Sequence, residues 1–128
     1  MAYRPLSDLE ATDVANTIDA ARQFFTGCPI QQAYDNLLSS TADRSDHATK
    51  LLGFLFGMSF LSEDWLEWSM LLDARYGDEI SLQVRGRDLG CAPLSMIKNR
   101  LEDGEQWDLA ELRDSTIDRL RQLGQHAA

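Results

Sequence analysis

The sequence predicts an α+β fold of about five helices around a small antiparallel sheet, which is built on one β-hairpin at about residues 65–85. Two observations support this prediction. Before residue 62 and after residue 92, apolar residues recur every three or four positions, the period of a helix with one buried face. Between these regions the period changes to two, as in a strand with one buried face.

The size and composition of the chain indicate one folded domain over residues 1–128. Its 128 residues are 44% hydrophobic and 26% charged, which excludes wholesale disorder. We expect an N-terminal pair of helices at 1–45 and a helix-hairpin-helix-helix core at 46–124. The net charge of -9 repels phosphate backbones and anionic lipids. Nucleic acid and membranes are therefore not the expected partners.

The first helix is predicted at about residues 8–26, because Ser7 and Glu10 have the spacing of a capping box. Gly27 then offers a left-handed end to that helix. A second, shorter helix follows Pro29, a residue that is tolerated in the first turn. It should end near Ser39.

The third helix begins at Ser45 or Asp46 and is apolar on nearly every side. It contains Gly53 and Gly57, four residues apart on one face. A glycine inside a helix costs roughly 1 kcal/mol relative to alanine. We therefore expect another part of the backbone to pack closely over this face.

The hairpin is predicted from alternating residues on both sides of a turn. Apolar side chains occupy every second position in both strands: Leu66, Trp68, Met70 and Leu72, then Ile80, Leu82 and Val84. Asp73–Asp78 separates them and has the composition of a turn, with Gly77 available for a positive φ. The two strands should pair antiparallel, and residues 86–92 are expected to add a short third strand.

Two more helices complete the prediction. Pro93 begins the fourth helix, which should run to about Glu102 and stop at Gly104. Asp108 begins the fifth with a second capping box. Gly124 is the expected end of this helix.

The residues carry no recognised catalytic pattern, so we expect a protein that is not an enzyme and that uses no metal and no cofactor. The chain has two histidines and lacks a phosphate-binding glycine loop or a nucleophile elbow. Cys28 and Cys91 are expected to be reduced and buried, as is common in the cytoplasm. No secretion signal precedes the first helix, and the longest apolar run, 51–61, is about half the length of a membrane span. A cytoplasmic location is expected.

The acidity is concentrated in the hairpin. Residues 63–79 contain six acids and one base, a net charge of -5. Aromatic anchors among acids are suited to binding a basic protein. The predicted partner-binding residues are Trp65, Glu67, Asp73, Tyr76, Asp78 and Glu79. For Trp65 a second interpretation stays open, in which a helix covers its indole and makes it part of the core.

Several of these features together resemble a bacterial family that is catalogued only as a domain of unknown function. They are Gly53 and Gly57 in a helix, Trp68 in the hairpin, and the segment Pro93–Glu105 with its Pro-x-Ser-Met-Ile and Arg-x-Glu-x-Gly-Glu patterns. The resemblance spans roughly 50–112, which leaves out the first two helices. It implies an α+β fold and no assigned activity, so it identifies no catalytic residues.

The functional expectation is a non-enzymatic binding protein. We expect an immunity or antitoxin-like protein that neutralises a basic bacterial toxin through its acidic, aromatic surface. The alternative is a small-ligand-binding or regulatory module with a pocket between the hairpin and the third helix, using Trp68 and nearby arginines. Both a monomer and a homodimer are compatible with the sequence.

Overall fold

The computed structural model describes residues 2–126 and has the predicted α+β architecture of five helices and one four-stranded sheet. The helices are α1 (Asp8–Phe24), α2 (Ile30–Ser39), α3 (Asp46–Met58), α4 (Pro93–Glu102) and α5 (Leu109–His126). The strands are β1 (Tyr3–Arg4), β2 (Leu66–Leu71), β3 (Glu79–Val84) and β4 (Gly90–Cys91). They lie in the order β1-β2-β3-β4, and all neighbours are antiparallel.

The hairpin and the short third strand are confirmed as β2, β3 and β4. The register pairs Leu66 with Val84 and Leu71 with Glu79, so the six-residue strands are matched along their whole length. Strand β1 was not predicted. It has only two residues, too few for a visible alternation, and it forms by pairing with the distant strand β2.

The predicted helix limits agree with the structure except at two ends. The capping box of Ser7 and Glu10 is present, but α1 ends at Phe24, two residues before the predicted end. Gly27 has a φ of +66° and turns the chain toward α2. The expected stop at Gly124 was wrong, because α5 continues to His126. Gly124 does not have the positive φ of a helix-ending glycine.

One face of the sheet packs against the helices and forms the core. Directly paired residues share a face, so Trp68 lies beside Leu82 and Met70 beside Ile80. The main core joins this face to α2, α3, α4 and α5; its largest fully buried side chains are Tyr34, Phe56, Phe60, Leu52, Leu66, Leu82, Ile97, Leu101 and Leu109. Helix α1 contributes Val14 and Ile18 to a smaller, separate cluster around Phe54 of α3.

The close backbone approach predicted over Gly53 and Gly57 is confirmed at Gly53 and wrong at Gly57, where side chains make the contact. A Cβ atom on Gly53 would lie 2.9 Å from the Cα atom of Leu94, where α4 crosses α3. A Cβ atom on Gly57 would lie 2.4 Å from Cη2 of Trp68. Gly53 therefore packs against the backbone of α4, and Gly57 packs against an indole ring.

The opposite face of the sheet has buried polar side chains at its centre, which are Ser69, Ser81 and Gln83. The Ser69 hydroxyl lies 2.7 Å from the carbonyl oxygen of Arg4 and 2.8 Å from Oε1 of Gln83. The Ala2 amide donates to Asp88 Oδ1 at 2.8 Å, which ties β1 to the loop before β4. The two edges of the sheet are thereby held together.

We find no helix within residues 2–126 that has both the length and the hydropathy needed to cross a membrane.

Candidate binding cleft

A cleft of about 830 Å³ opens between the hairpin turn and the helices α3 and α4. We call it the turn cleft. Four of the six predicted partner-binding residues line it: Asp73, Tyr76, Asp78 and Glu79. The helices contribute further polar side chains, among them Lys50 from α3 and Lys98 from α4. The register of the hairpin thus brings the turn to the same end of the molecule as the start of α4.

The turn is held in shape by its own acids. Oδ1 of Asp73 accepts hydrogen bonds from the amides of Arg75 at 2.8 Å and Tyr76 at 3.0 Å. Gly77 has the positive φ that was predicted, +88°, and its amide donates to the Asp73 carbonyl at 2.9 Å. Tyr76 is held at the tip with 79% of its surface exposed. The turn therefore presents an aromatic ring to solvent on an ordered backbone.

One hydrogen bond connects the hairpin to α4 within the cleft. The Ser95 hydroxyl, in the first turn of α4, donates to Oε1 of Glu79 at 2.6 Å. Glu79 is the first residue of β3, so this bond fixes the end of the strand next to the turn. Ser95 therefore lines the turn cleft and also lies in the first turn of α4.

The lining of the turn cleft is acidic overall, with five acids and three bases. The acids are Asp46, Asp73, Asp78, Glu79 and Glu102. Of the bases, Arg44 has a structural role, because its guanidinium donates to the carbonyls of Leu37 and Leu101 at 3.0 and 2.7 Å. Lys50 and Lys98 are exposed, and neither forms an ion pair with a described acid.

A second, smaller cleft of about 350 Å³ adjoins the first. The two share four lining residues, which are Lys50, Asp78, Glu79 and Leu94. On its far side the second cleft is lined by Glu10 and Asp13 of α1. The acidic surface therefore continues from the hairpin turn to the first helix.

The remaining two predicted residues, Trp65 and Glu67, lie elsewhere. They are at the opposite end of β2, about 20 Å from the turn at the usual rise per strand residue. Glu67 forms a 3.1 Å ion pair with Arg85. Trp65 packs against the main core, and the guanidinium of Arg121 in α5 lies 5.7 Å from its ring centroid. The Trp65 indole is thus only partly buried by the core and α5, and its role as a partner-binding residue stays a prediction.

The pocket of the alternative prediction has the expected place but a different lining. Trp68 lies outside the turn cleft, because its ring is packed over Gly57 and 5.6 Å from the ring of Phe54. Sequence reasoning also missed Asp46, Lys50 and Glu102. Nothing in their local sequence distinguishes them, since they join the cleft only when α3, α4 and the hairpin pack together.

Within residues 2–126, no group of three His, Cys, Asp or Glu side chains is placed to hold a metal ion. Cys28 and Cys91 are free thiols, and the expectation that both are buried was wrong, because each is half-buried.

Cys91 is expected to resist alkylation in the folded protein. Burial raises the pKa of its thiol to about 12, and the thiolate is the reactive form. At pH 8 iodoacetamide should leave Cys91 unmodified for as long as the chain is folded, and should modify it fully in denaturant. Peptide mass spectrometry measures both. Rapid modification of Cys91 before unfolding would contradict the buried environment of β4.

Comparison with known proteins gives a family but no function. No curated protein and no solved structure matches the chain. A family model with the description Domain of unknown function (DUF3806) matches residues 28–112, 85 of the 128 positions. The match begins at 28 instead of about 50, so the predicted extent was too short and α2 lies inside the family region. The chain therefore belongs to the family described as Domain of unknown function (DUF3806).

Proposed function

We propose that this chain is a non-enzymatic binding protein that engages a basic protein through its hairpin turn and the turn cleft. One observation carries the proposal. Tyr76, the most exposed large hydrophobic side chain described, stands at the mouth of a cleft of about 830 Å³ that has more acids than bases. An exposed ring on an ordered turn is suited to insertion into a partner.

The aromatic ring and the acids have separate roles in this proposal. Tyrosine is enriched among the residues that dominate binding energy, because it buries a large rigid surface and keeps a polar tip. The acids act at longer range and raise the association rate with a basic partner. The net charge of -9 for the chain adds to this attraction.

The finer part of the proposal is an immunity or antitoxin-like role toward a basic bacterial toxin. It is supported by the small size of the chain, its acidity and the lack of a recognised catalytic pattern. Such a protein acts by covering a surface of the toxin, so it needs a preformed acidic face and no chemistry of its own. A bacterial cytoplasm is the proposed setting.

A small-ligand-binding module is the second candidate, favoured by the size and mixed charge of the turn cleft. About 830 Å³ is within the range of ligand sites. Lys50 and Lys98 could hold an anionic group of a ligand while Asp78 or Glu102 holds a cationic one. Such a ligand would be a polar zwitterion, and Tyr76 would contribute little to its binding.

The first test is the capture of a partner by the purified chain from a lysate of its source organism, followed by calorimetry with the captured protein. Tyr76→Ala should weaken binding about tenfold, the usual loss for a central aromatic residue. The same substitution should leave the stability of the free chain nearly unchanged, because the ring is exposed. An unchanged affinity would exclude Tyr76 as an anchor.

The charge of the turn should control the association rate. Asp78→Lys is expected to slow association about tenfold at low salt, with a much smaller effect near 1 M salt. Asp118→Lys on α5 is the matched control, since it makes the same change of charge at an exposed site away from the cleft. Equal effects of the two substitutions would show that only net charge matters and would contradict a binding surface at the turn.

A further inference from the structure

We propose that helix α1 is a displaceable cover that separates from α3 while the rest of the fold stays intact. Its displacement uncovers an apolar strip formed by Phe54, Trp68, Ile80 and Leu94, which pack with it in the smaller core cluster. The proposal concerns a motion of the chain itself. Only the use of the strip, which we assign to the same basic protein that binds the adjoining turn cleft, rests on the proposed function.

The buried face of α1 is narrow and lies in a smaller cluster beside the main core. Val14, Ile18 and Ala21 are its only buried residues, and the cluster that contains the first two is distinct from the main core. Leu9 of the same helix is 72% exposed, and Phe24 is 54% exposed with one edge-on ring contact to His47 of α3, 6.0 Å between centroids. Segments with few buried apolar contacts open at lower free energy than the core they cover.

Helix α1 also lacks polar ties to the surface beneath it. Within the described chain, no hydrogen bond or ion pair joins α1 to α3, to the hairpin or to α4. Gly27, with its positive φ, lies at one end of the helix, and the segment 5–7 lies at the other. Both connections are short, and in the segment 5–7 Leu6 packs against the same cluster as α1, so the displacement of α1 would also release Leu6.

A single ion pair fastens α1 to the neighbouring strand. The Arg4 guanidinium donates to both carboxylate oxygens of Glu10, at 2.7 and 2.9 Å. We call this pair the latch. Arg4 also holds the pKa of Glu10 down, to about 2, so the latch is charged at neutral pH.

The apolar strip lies next to the acidic surface of the turn cleft, so displacing α1 would extend that surface. The smaller cleft lies between α1 and the hairpin and is lined by Phe54, Ile80 and Leu94 as well as by Asp78 and Glu79. Since it adjoins the turn cleft, removing α1 would join the acidic surface to an apolar one. In addition, the family match covers residues 28–112, which leaves α1 and β1 outside the matched region.

Hydrogen exchange on the full chain tests the motion without any partner. Under native conditions the α1 amides of Val14 and Ile18 should exchange at least about tenfold faster than the α3 amides of Leu52 and Phe56. Mass spectrometry with peptide resolution separates the two helices. Equal rates in α1 and α3 would mean that α1 opens only when the whole chain unfolds, which would overturn the proposal.

A charge-removing substitution tests the latch. Glu10→Gln keeps an oxygen for the Ser7 amide, since glutamine also serves in a capping box, but removes the ion pair. Exchange in α1 should rise about two- to fivefold, the effect expected for an exposed pair, with α3 unchanged. Glu111→Gln is the matched control, because Glu111 has the same position in α5 and no ion pair in the described chain. An equal rise in α3 would contradict a local motion.

Binding then separates this inference from the proposed function. If the partner uses the apolar strip, Arg4→Gln, which breaks the latch and leaves the acids in place, should tighten binding by the same two- to fivefold, because the open form is more populated. Faster exchange in α1 with unchanged affinity would overturn the use of the strip. The Tyr76→Ala result would stand in either case, since the turn does not depend on α1.

Discussion

Gly90→Ala is expected to lower the free energy of unfolding by about 3 kcal/mol or more, at the upper end of the cost of overpacking. A Cβ atom at Gly90 would lie 2.0 Å from the carbonyl oxygen of Leu82 and 2.7 Å from the Tyr3 hydroxyl oxygen. The first neighbour is backbone of the adjacent strand and cannot rotate away. Strand β4 must therefore separate from β3, or the sheet must shift. Urea denaturation followed by circular dichroism measures the loss.

Two variants make this expectation specific. Gly124→Ala is the control, because its Cβ atom would meet nothing within 4 Å and its helical position should gain up to about 1 kcal/mol. Tyr3→Phe combined with Gly90→Ala should be no more stable than Gly90→Ala alone, since the Leu82 carbonyl would still clash. A full recovery of stability in that double variant would show that the Tyr3 hydroxyl is the obstacle.

Those parts of the fold that rest on local signals were predicted well. The caps, the turn glycines Gly27, Gly77 and Gly104, and the change of period at the hairpin each depend on a few consecutive residues. Strand β1 has no such signal, because Tyr3 and Arg4 become a strand only by pairing with β2. The helical period of α5 would also place Leu123 on the buried face with Leu109, Leu112 and Leu120, but its side chain is 42% exposed.

The candidate site was predicted only where its residues are adjacent in the sequence. Asp73, Tyr76, Asp78 and Glu79 are adjacent in sequence, so their grouping at one turn follows from the hairpin. Trp65 was grouped with them by composition, but strand length separates it from the turn. The helical half of the cleft, including Lys50 and Ser95, depends on how α3 and α4 pack against the hairpin. One sequence gives the amphipathic faces of these helices but not their relative placement.

Gly57→Ala is expected to destabilise the chain by about 2 kcal/mol. Overpacking of this kind costs up to about 3 kcal/mol, and the higher helix propensity of alanine returns about 1 kcal/mol. The new Cβ atom would lie 2.4 Å from Cη2 of Trp68 and 3.0 Å from Cγ of Pro93. Thermal and urea unfolding both measure the change. A stabilising effect would mean that the indole has room to move away.

The obstacle at Gly57 is chiefly a side chain, so a second substitution should relieve it. Phenylalanine lacks the outer ring atoms that lie against Gly57. The double variant Trp68→Phe with Gly57→Ala should therefore lose about 1–2 kcal/mol less free energy of unfolding than the sum of the two single losses. Gly53→Ala is the control, because its new Cβ atom would meet the Leu94 backbone, which Trp68→Phe does not remove. If Trp68→Phe reduces the loss caused by Gly57→Ala but not the loss caused by Gly53→Ala, the two glycines make separate contacts. Additivity at both would contradict the placement of the indole over α3.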